Sequence, residues 1–315
     1  MHAFSYARAS TVEEAAVASG RGARLLAGGT DLLTVLKRRL EAPRELVDVK
    51  RMAEAGLRAV ERTADGGLRI GALVTLAEVE AHPLVTTEAL RALAEACGSA
   101  ATPALRNQAT IGGNLLQAPR CWYYRGGVRC VAAGGVGCPA RDGDARFHAL
   151  FPGAECIDVH PSDPVTALAL LRARVEVRDA GTAVREVPVA GLLHAPTREN
   201  PRLHALAPGE VVTAVLVPAA PAGYRSVYEK GSSREAWTFA LAGVAAGGVP
   251  AGPDEKPQGL RFAIGGVAAA PIVTPDVELA LAGATPHPTN GYKMDLVRGL
   301  AARALERLTG SSPAA

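Results

Sequence analysis

The chain has 315 residues, 48% of them hydrophobic, and a formal charge of +3 from 34 basic and 31 acidic side chains. That length supports two buried cores, while balanced charge without a lysine–arginine run or aromatic–basic stripe speaks against a nucleic-acid partner. No stretch of about 18 apolar residues occurs, so no membrane span is expected.

The opening "MHAFSYARASTVEEAA" lacks the charged and apolar regions of a signal peptide. Thr11, with Glu14 three residues on, forms a capping-box pattern that predicts a first helix closing at Gly20. "ARLLAGG" (23–29) reads as a short buried strand running into a double glycine. "TDLLTVLKRRL" (30–40) then predicts a helix with Leu32, Leu33, Leu36 and Leu40 on one face. "ELVDVK" (45–50) and "LRIGALV" (68–74) read as strands, and Thr75 with Glu78 gives a second capping box. Leu90, Leu93, Ala94 and Cys97 share a helical face closed by Gly98, which makes Cys97 a core residue.

The segment 119–156 differs from the rest of the chain. It holds four of the five cysteines, five aromatic residues (Trp122, Tyr123, Tyr124, Phe147, Phe151) and Arg120, Arg125, Arg129, Arg141 and Arg146. "HPSDPVTALALLRARVEVRD" (160–179) predicts a helix and then a strand, and "VVTAVLVP" (211–218) a further strand. "PAAPAG" (218–223) is the most linker-like stretch. After it come a strand "YRSVYEK", an Ala-rich segment, a strand "LRFAIGGVA", helices near 276–283 and 291–308, and a tail "GSSPAA" expected to be disordered. Strands and helices mix without a regular βαβ repeat, so the fold class is α+β.

Two glycine pairs carry chemistry. In "LLAGGTDLL", Gly28 and Gly29 sit between a strand and a helix, where bare amides form an anion-binding nest or simply a tight turn. "RNQATIGGNLL" adds Thr110, Gly112, Gly113 and Asn114, so that two turns could clamp one pyrophosphate-containing cofactor. No G-x-G-x-x-G is present, which excludes the Rossmann fingerprint. Asp163 in "HPSD" is either an acceptor for sugar hydroxyls or a helix cap, and Lys230 either a neighbour of a cofactor ring or a solvated strand-end lysine.

"LLAGGTDLL", "ATIGGN", "HPSD" and "YEKGSSR", in this order, resemble the FAD-binding medium subunits of the xanthine dehydrogenase family of molybdenum hydroxylases, over nearly the whole chain. The resemblance implies a two-lobed FAD-binding domain of the PCMH type over 1–219. A smaller α+β C-terminal domain of the CO dehydrogenase flavoprotein type would follow over 220–315. It implies that Leu26, Ala27, Gly28, Gly29, Thr30, Asp31, Leu32 and Leu33 wrap the FAD pyrophosphate, and that Thr110, Gly113 and Asn114 supply the second turn. Asp163 would contact the ribityl–ribose region and Lys230 would lie beside the isoalloxazine.

The insertion at 119–156 departs from plain members. "PRCWYYR", "GCPARDGD" and "RFHALF" resemble the flavoprotein subunits of heterotrimeric aldehyde oxidoreductases, and more loosely 4-hydroxybenzoyl-CoA reductases, which carry an additional [4Fe-4S] cluster. Cys121, Cys130, Cys138 and Cys156 match the four-thiolate ligand set of such a cluster. Their gaps of eight, seven and seventeen residues lack the C-x₂₋₄-C pairs of structural zinc, which ranks second. Disulfides rank third in a chain with no export signal. The arginines would offset the anionic cluster and the aromatics exclude water, and four cysteines complete the set without His148 or His160.

The function implied is electron transfer. A large molybdenum-cofactor subunit would oxidise an aldehyde, a small [2Fe-2S] subunit would relay electrons to FAD and the [4Fe-4S] centre here, and an external acceptor would receive them. No catalytic residue for aldehyde is expected in this chain. The alternatives are a 4-hydroxybenzoyl-CoA reductase-like or xanthine dehydrogenase FAD subunit, a free-standing FAD oxidase, and a zinc-stabilised binding module. The compartment implied is the cytoplasm, or the periplasm if the complex is exported on a partner's signal.

Overall fold

The computed structural model describes residues 1–181, 183–234, 237–251 and 255–310, and most of the expected tail lies outside the described residues. The first lobe comprises β1 (Ser5–Arg8), α1 (Val12–Gly20), β2 (Arg24–Leu26), α2 (Leu32–Lys37) and β3 (Glu45–Asp48). Its three strands form a parallel sheet in the order β1-β3-β2.

The second lobe contains β4 (Val60–Arg62), β5 (Leu68–Gly71), and helices α3 (Leu76–Ala81), α4 (Arg91–Gly98), α5 (Pro103–Arg106), α6 (Ile111–Leu115), α7 (Trp122–Arg125) and α8 (Asp163–Leu170). Strands β6 (Arg174–Arg178), β7 (Val184–Pro188) and β8 (Val211–Val217) complete it, giving an antiparallel sheet in the order β4-β5-β8-β6-β7. The C-terminal unit is a second antiparallel sheet, β12-β11-β10-β9. It is built from β9 (Arg225–Gly231), β10 (Ala242–Val249), β11 (Gln258–Gly265) and β12 (Ile272–Thr274), followed by α9 (Val277–Leu281) and α10 (Tyr292–Thr309). The first lobe is a small parallel unit with helices between its strands, but the two larger sheets are antiparallel, which makes the class α+β.

Three expectations change in detail. The helix foreseen over 30–40 spans only Leu32–Lys37, because Arg39 turns left-handed (φ 59°) and Leu40 N–H closes onto Val35 O at 3.1 Å. Its buried face is therefore Val35 and Leu36, while Leu33 stays exposed and lies over Gly29. The strand at 68–74 stops at Gly71, where the backbone of Gly56 and Leu57 crosses so closely that a Cβ would meet Gly56 O at 2.1 Å. The Ala-rich segment, given no element from sequence, is the central strand β10.

Its small residues have weak strand propensity and act by leaving room. A Cβ on Gly243 would lie 2.4 Å from the Tyr228 hydroxyl, and one on Gly247 would lie 2.1 Å from that of Tyr224. Tyr228 is buried and donates to Asp163 at 2.7 Å. Gly243→Ala is therefore expected to push Tyr228 off Asp163 and to destabilise the protein by about 1–3 kcal/mol. A lower urea midpoint at unchanged slope checks this, and a midpoint equal to the parent's contradicts it.

Candidate functional site

The first glycine turn is built by packing before any ligand. Gly28 has an ordinary backbone angle, yet a Cβ there would sit 1.9 Å from Gln108 O, so the first turn rests directly on the approach to the second. Gly29 is glycine for a different reason, its φ of 72°. The first amide of the turn with a partner is Leu33, which bonds Gly29 O at 3.1 Å. Among the described residues, the N–H groups of Gly28 to Leu32 have no partner, which leaves a run of donors for an anion.

The second turn behaves differently. Ile111 N–H bonds Val74 O (2.8 Å), Gly112 N–H bonds Ala72 O (3.0 Å), Gly113 N–H bonds Thr110 Oγ1 (3.1 Å) and Asn114 N–H bonds Thr110 O (2.8 Å). These amides are spent internally. What the turn offers is an exposed, side-chain-free surface at Gly113, where a Cβ would come no nearer than 3.9 Å to Ala27 of the first turn. Asn114 Oδ1 accepts from the Ser162 hydroxyl, which caps α8 by accepting from Val165 N–H at 3.1 Å. Ser162, rather than Asp163, is thus the helix cap.

Asp163 instead faces β9. One oxygen accepts from Tyr228 and the other from Lys230 Nζ at 2.8 Å, and the same ammonium donates to Ser99 O at 2.9 Å. Burial holds the Asp163 carboxyl above its ordinary range despite these donors. Asp163 and Lys230 are therefore each other's partners. Lys230 also borders a cleft of about 550 Å³ whose lining includes Glu80, Glu95 and Glu229 but neither glycine turn. Carboxylates suit phosphate poorly, so the free-amide face of Gly28–Leu32 is the better anion site.

Asp31 has a role that its position in the turn did not reveal. Its carboxylate accepts from Ala118 N–H (2.7 Å), Arg125 Nη2 (2.8 Å) and Arg120 Nη1 (2.6 Å). Arg125 is satisfied all round, donating also to Pro119 O (2.7 Å), Ala118 O (3.0 Å) and Thr34 Oγ1 (3.1 Å). The two guanidiniums on this carboxylate join the turn to the start of the cysteine segment.

Cys121, Cys130, Cys138 and Cys156 all line one cavity, with Tyr123, Tyr124, His148 and Asp158 among its other walls. Arg141 draws the segment together by donating to Gly153 O (2.5 Å) and Ala154 O (2.8 Å). The mutual interaction of Cys138 and Cys156 holds the Cys138 thiol below the ordinary range and, with burial, the Cys156 thiol above it. Burial pushes Cys121 up to about 12 and Asp158 up to about 7, and it pushes His148 down to about 4. The donor set, four buried or half-buried thiols on one cavity, fits a thiolate-bound iron–sulfur cluster. The cavity is water-sized as the thiols stand, about 10 Å³.

The five arginines and five aromatics of this segment do not act as one group. Arg120 and Arg125 serve Asp31, Arg141 ties backbone, Arg146 pairs with Asp144 and lies over Trp122, and Arg129 is exposed. Tyr123 and Tyr124 close the cavity, Trp122 and Phe147 are exposed, and Phe151 packs on the C-terminal core. His160 points to Leu115 O at 3.1 Å, whereas His148 stands at the cavity wall. Sequence reasoning missed Asp158 and Tyr228, although "ECIDVH" puts Asp158 two residues from a cysteine. Cys97 is fully buried in the core, apart from the other four.

A family profile described as "FAD binding domain in molybdopterin dehydrogenase" matches residues 2–220. The chain is 38% identical to the aldehyde oxidoreductase FAD-binding subunit PaoB of Escherichia coli (strain K12), over 95% of this chain and 96% of that protein. It is 25% identical to the glyceraldehyde dehydrogenase medium chain of Sulfolobus acidocaldarius, over 98% of this chain and 89% of that one. Among solved structures it superposes on a chain of carbon monoxide dehydrogenase from Hydrogenophaga pseudoflava with a TM-score of 0.72 at 23% identity, covering 98% and 97% of the two chains. A chain of quinoline 2-oxidoreductase from Pseudomonas putida 86 gives 0.71 at 22% identity, covering 98% and 97%. These last two likenesses establish the fold.

Asp31→Asn is expected to loosen the cysteine segment and the glycine turn together. Losing a charge-assisted pair costs about 1.5–3 kcal/mol. Hydrogen exchange should quicken over residues 117–125, and flavin should be retained at least about tenfold more weakly. Unchanged exchange and unchanged flavin content would show that the two elements are independent.

Proposed function

The chain belongs to the family of FAD-binding domains in molybdopterin dehydrogenases; from that premise we infer that it is the flavoprotein subunit of a molybdenum-containing aldehyde oxidoreductase. FAD sits on the glycine turns and a [4Fe-4S] cluster on Cys121, Cys130, Cys138 and Cys156. Residues 1–219 form the FAD-binding domain and 220–315 the C-terminal domain. The observation that carries the reading is the bridge of Asp31 to Arg120 and Arg125, which sets a free-amide turn beside a four-thiol cavity. The full-length likeness to an aldehyde oxidoreductase FAD-binding subunit supports the substrate class.

Within this assignment the chain's residues hold and orient. The amides of Gly28 to Leu32 receive the pyrophosphate, helped by Arg120 and Arg125, which neutralise Asp31 at the end of the turn. Gly113 lets the cofactor pass close to bare backbone, with the Asn114 side chain beside it. Asp163 and Lys230 present a buried ion pair to the ribityl and ring end. Tyr123 and Tyr124 keep water from the thiolates. Bound FAD and the cluster supply the electron-carrying chemistry.

A large molybdenum-cofactor subunit and a small [2Fe-2S] subunit are the partners, and an external acceptor takes the electrons. Among the described residues no helix is long and apolar enough to cross a membrane. The complex works in the cytoplasm, or in the periplasm when carried there by a partner's signal.

The chain by itself is expected not to oxidise aldehydes, since it offers ligands for carriers and no hydroxylating centre. Anaerobic stopped-flow mixing of aldehyde with the purified chain should leave the flavin absorbance unchanged. Adding the molybdenum and [2Fe-2S] subunits should bleach it at the turnover rate. Bleaching at that rate without partners would contradict the reading and point to a free-standing oxidase.

A further inference from the structure

The cavity of the four cysteines holds two other ligand-type side chains. His148 Nε2 lies 3.2 Å from Cys121 Sγ, and one ligand atom each from Cys121, His148 and Asp158 lie within 4.8 Å of one another. Both residues are buried, and His148 Nδ1 and Asp158 Oδ2 have no hydrogen-bond partner. Buried polar atoms without partners are uncommon and call for a cause. The His148 ring is fixed in place, edge-on to Trp122 with ring centres 6.2 Å apart and tilted against Tyr123 at 6.1 Å. Its carbonyl is held by Lys293 Nζ at 3.0 Å and Asn290 Nδ2 at 3.3 Å.

The other corners lack this arrangement. Cys138 and Cys156 are free thiols that influence each other, and Cys130 packs with Val35, Ala118 and Tyr124. Among the described residues, Cys121 is the one cavity cysteine grouped with an imidazole.

We propose that His148 is a reserve ligand for the iron that Cys121 holds, so that the cluster keeps four protein ligands when the Cys121 thiolate is lost. The proposal rests on the cluster assignment above. The exchange is a ligand substitution: the Fe–S bond to Cys121 is absent, and the imidazole lone pair forms an Fe–N bond, with no electron gained or lost. Imidazole is an accepted ligand for iron, and a neutral nitrogen in place of a thiolate makes the cluster easier to reduce.

The test compares anaerobically purified parent protein with Cys121→Ala, Cys130→Ala, Cys138→Ala and Cys121→Ala/His148→Ala. Each is assayed for flavin, iron, acid-labile sulfide and pulsed-EPR nitrogen coupling. Cys121→Ala is expected to keep iron and sulfide within about twofold of the parent, gain a strong imidazole nitrogen coupling and reduce at higher potential. Cys130→Ala, Cys138→Ala and the double variant are expected to lose iron about tenfold or more, the scale on which a metal site responds to a lost partner. Cys121→Ala that keeps its flavin but is as iron-poor as Cys130→Ala overturns the proposal and leaves the cluster assignment standing. A parent without iron overturns both. If Cys121→Ala does not accumulate folded, Cys121→Ser takes its place, and retained iron without nitrogen coupling then counts against His148.

Discussion

One carboxylate organises the functional half of this molecule. Asp31 stands at the end of the first glycine turn, where an acid would ordinarily repel a phosphate, yet it spends its charge on Arg120 and Arg125. The two guanidiniums neutralise it, so the carboxylate does not stand free beside the unpartnered amides. The same bonds fix Ala118 and Pro119, the residues from which the chain enters the cysteine segment. Anion binding and thiol placement therefore depend on a single local electrostatic arrangement.

A second ionic arrangement joins the second lobe to the C-terminal unit. Asp163 and Lys230 are both largely removed from water, which is costly for each charge taken alone. The cost is offset because every strong acceptor position is used: Tyr228 and Lys230 divide the carboxylate oxygens, and Ser99 O takes a further ammonium proton. Lys293 does the corresponding work for the cysteine segment. Fully buried, with its pKa pushed down to about 7, it donates to Phe147 O (3.1 Å), His148 O (3.0 Å) and Gly266 O (2.9 Å). Leu150 N–H adds a bond to Val267 O at 2.8 Å. The inserted segment is thereby sewn to β11 and α10.

Much of this was legible in the residues. The capping-box patterns at Thr11 and Thr75 announced α1 and α3, although only Thr75 forms the full box and Glu14 accepts instead from Ser10 N–H. The glycine pairs with the spacing of "HPSD" and "YEKGSSR" pointed to the family. What the sequence hid is tertiary. The reason for Gly28 is the backbone of Gln108, eighty residues on, and no local pattern shows that contact. Asp31 read as a phosphate neighbour because its arginines lie in another segment. Strand β10 was obscured because alanine and glycine carry little strand signal, and only Tyr224 and Tyr228 explain their small size. His148 was set aside by counting cysteines, an argument blind to which side chains share a wall.

The account's central claim is that one chain holds a flavin and an iron–sulfur cluster side by side. The most direct measurement is the cofactor content of anaerobically purified protein, by absorbance, metal analysis and acid-labile sulfide. The account predicts one FAD with about four irons and four sulfides per chain, the composition of a cubane on four thiolates. One zinc without iron or sulfide, or flavin alone, would contradict it.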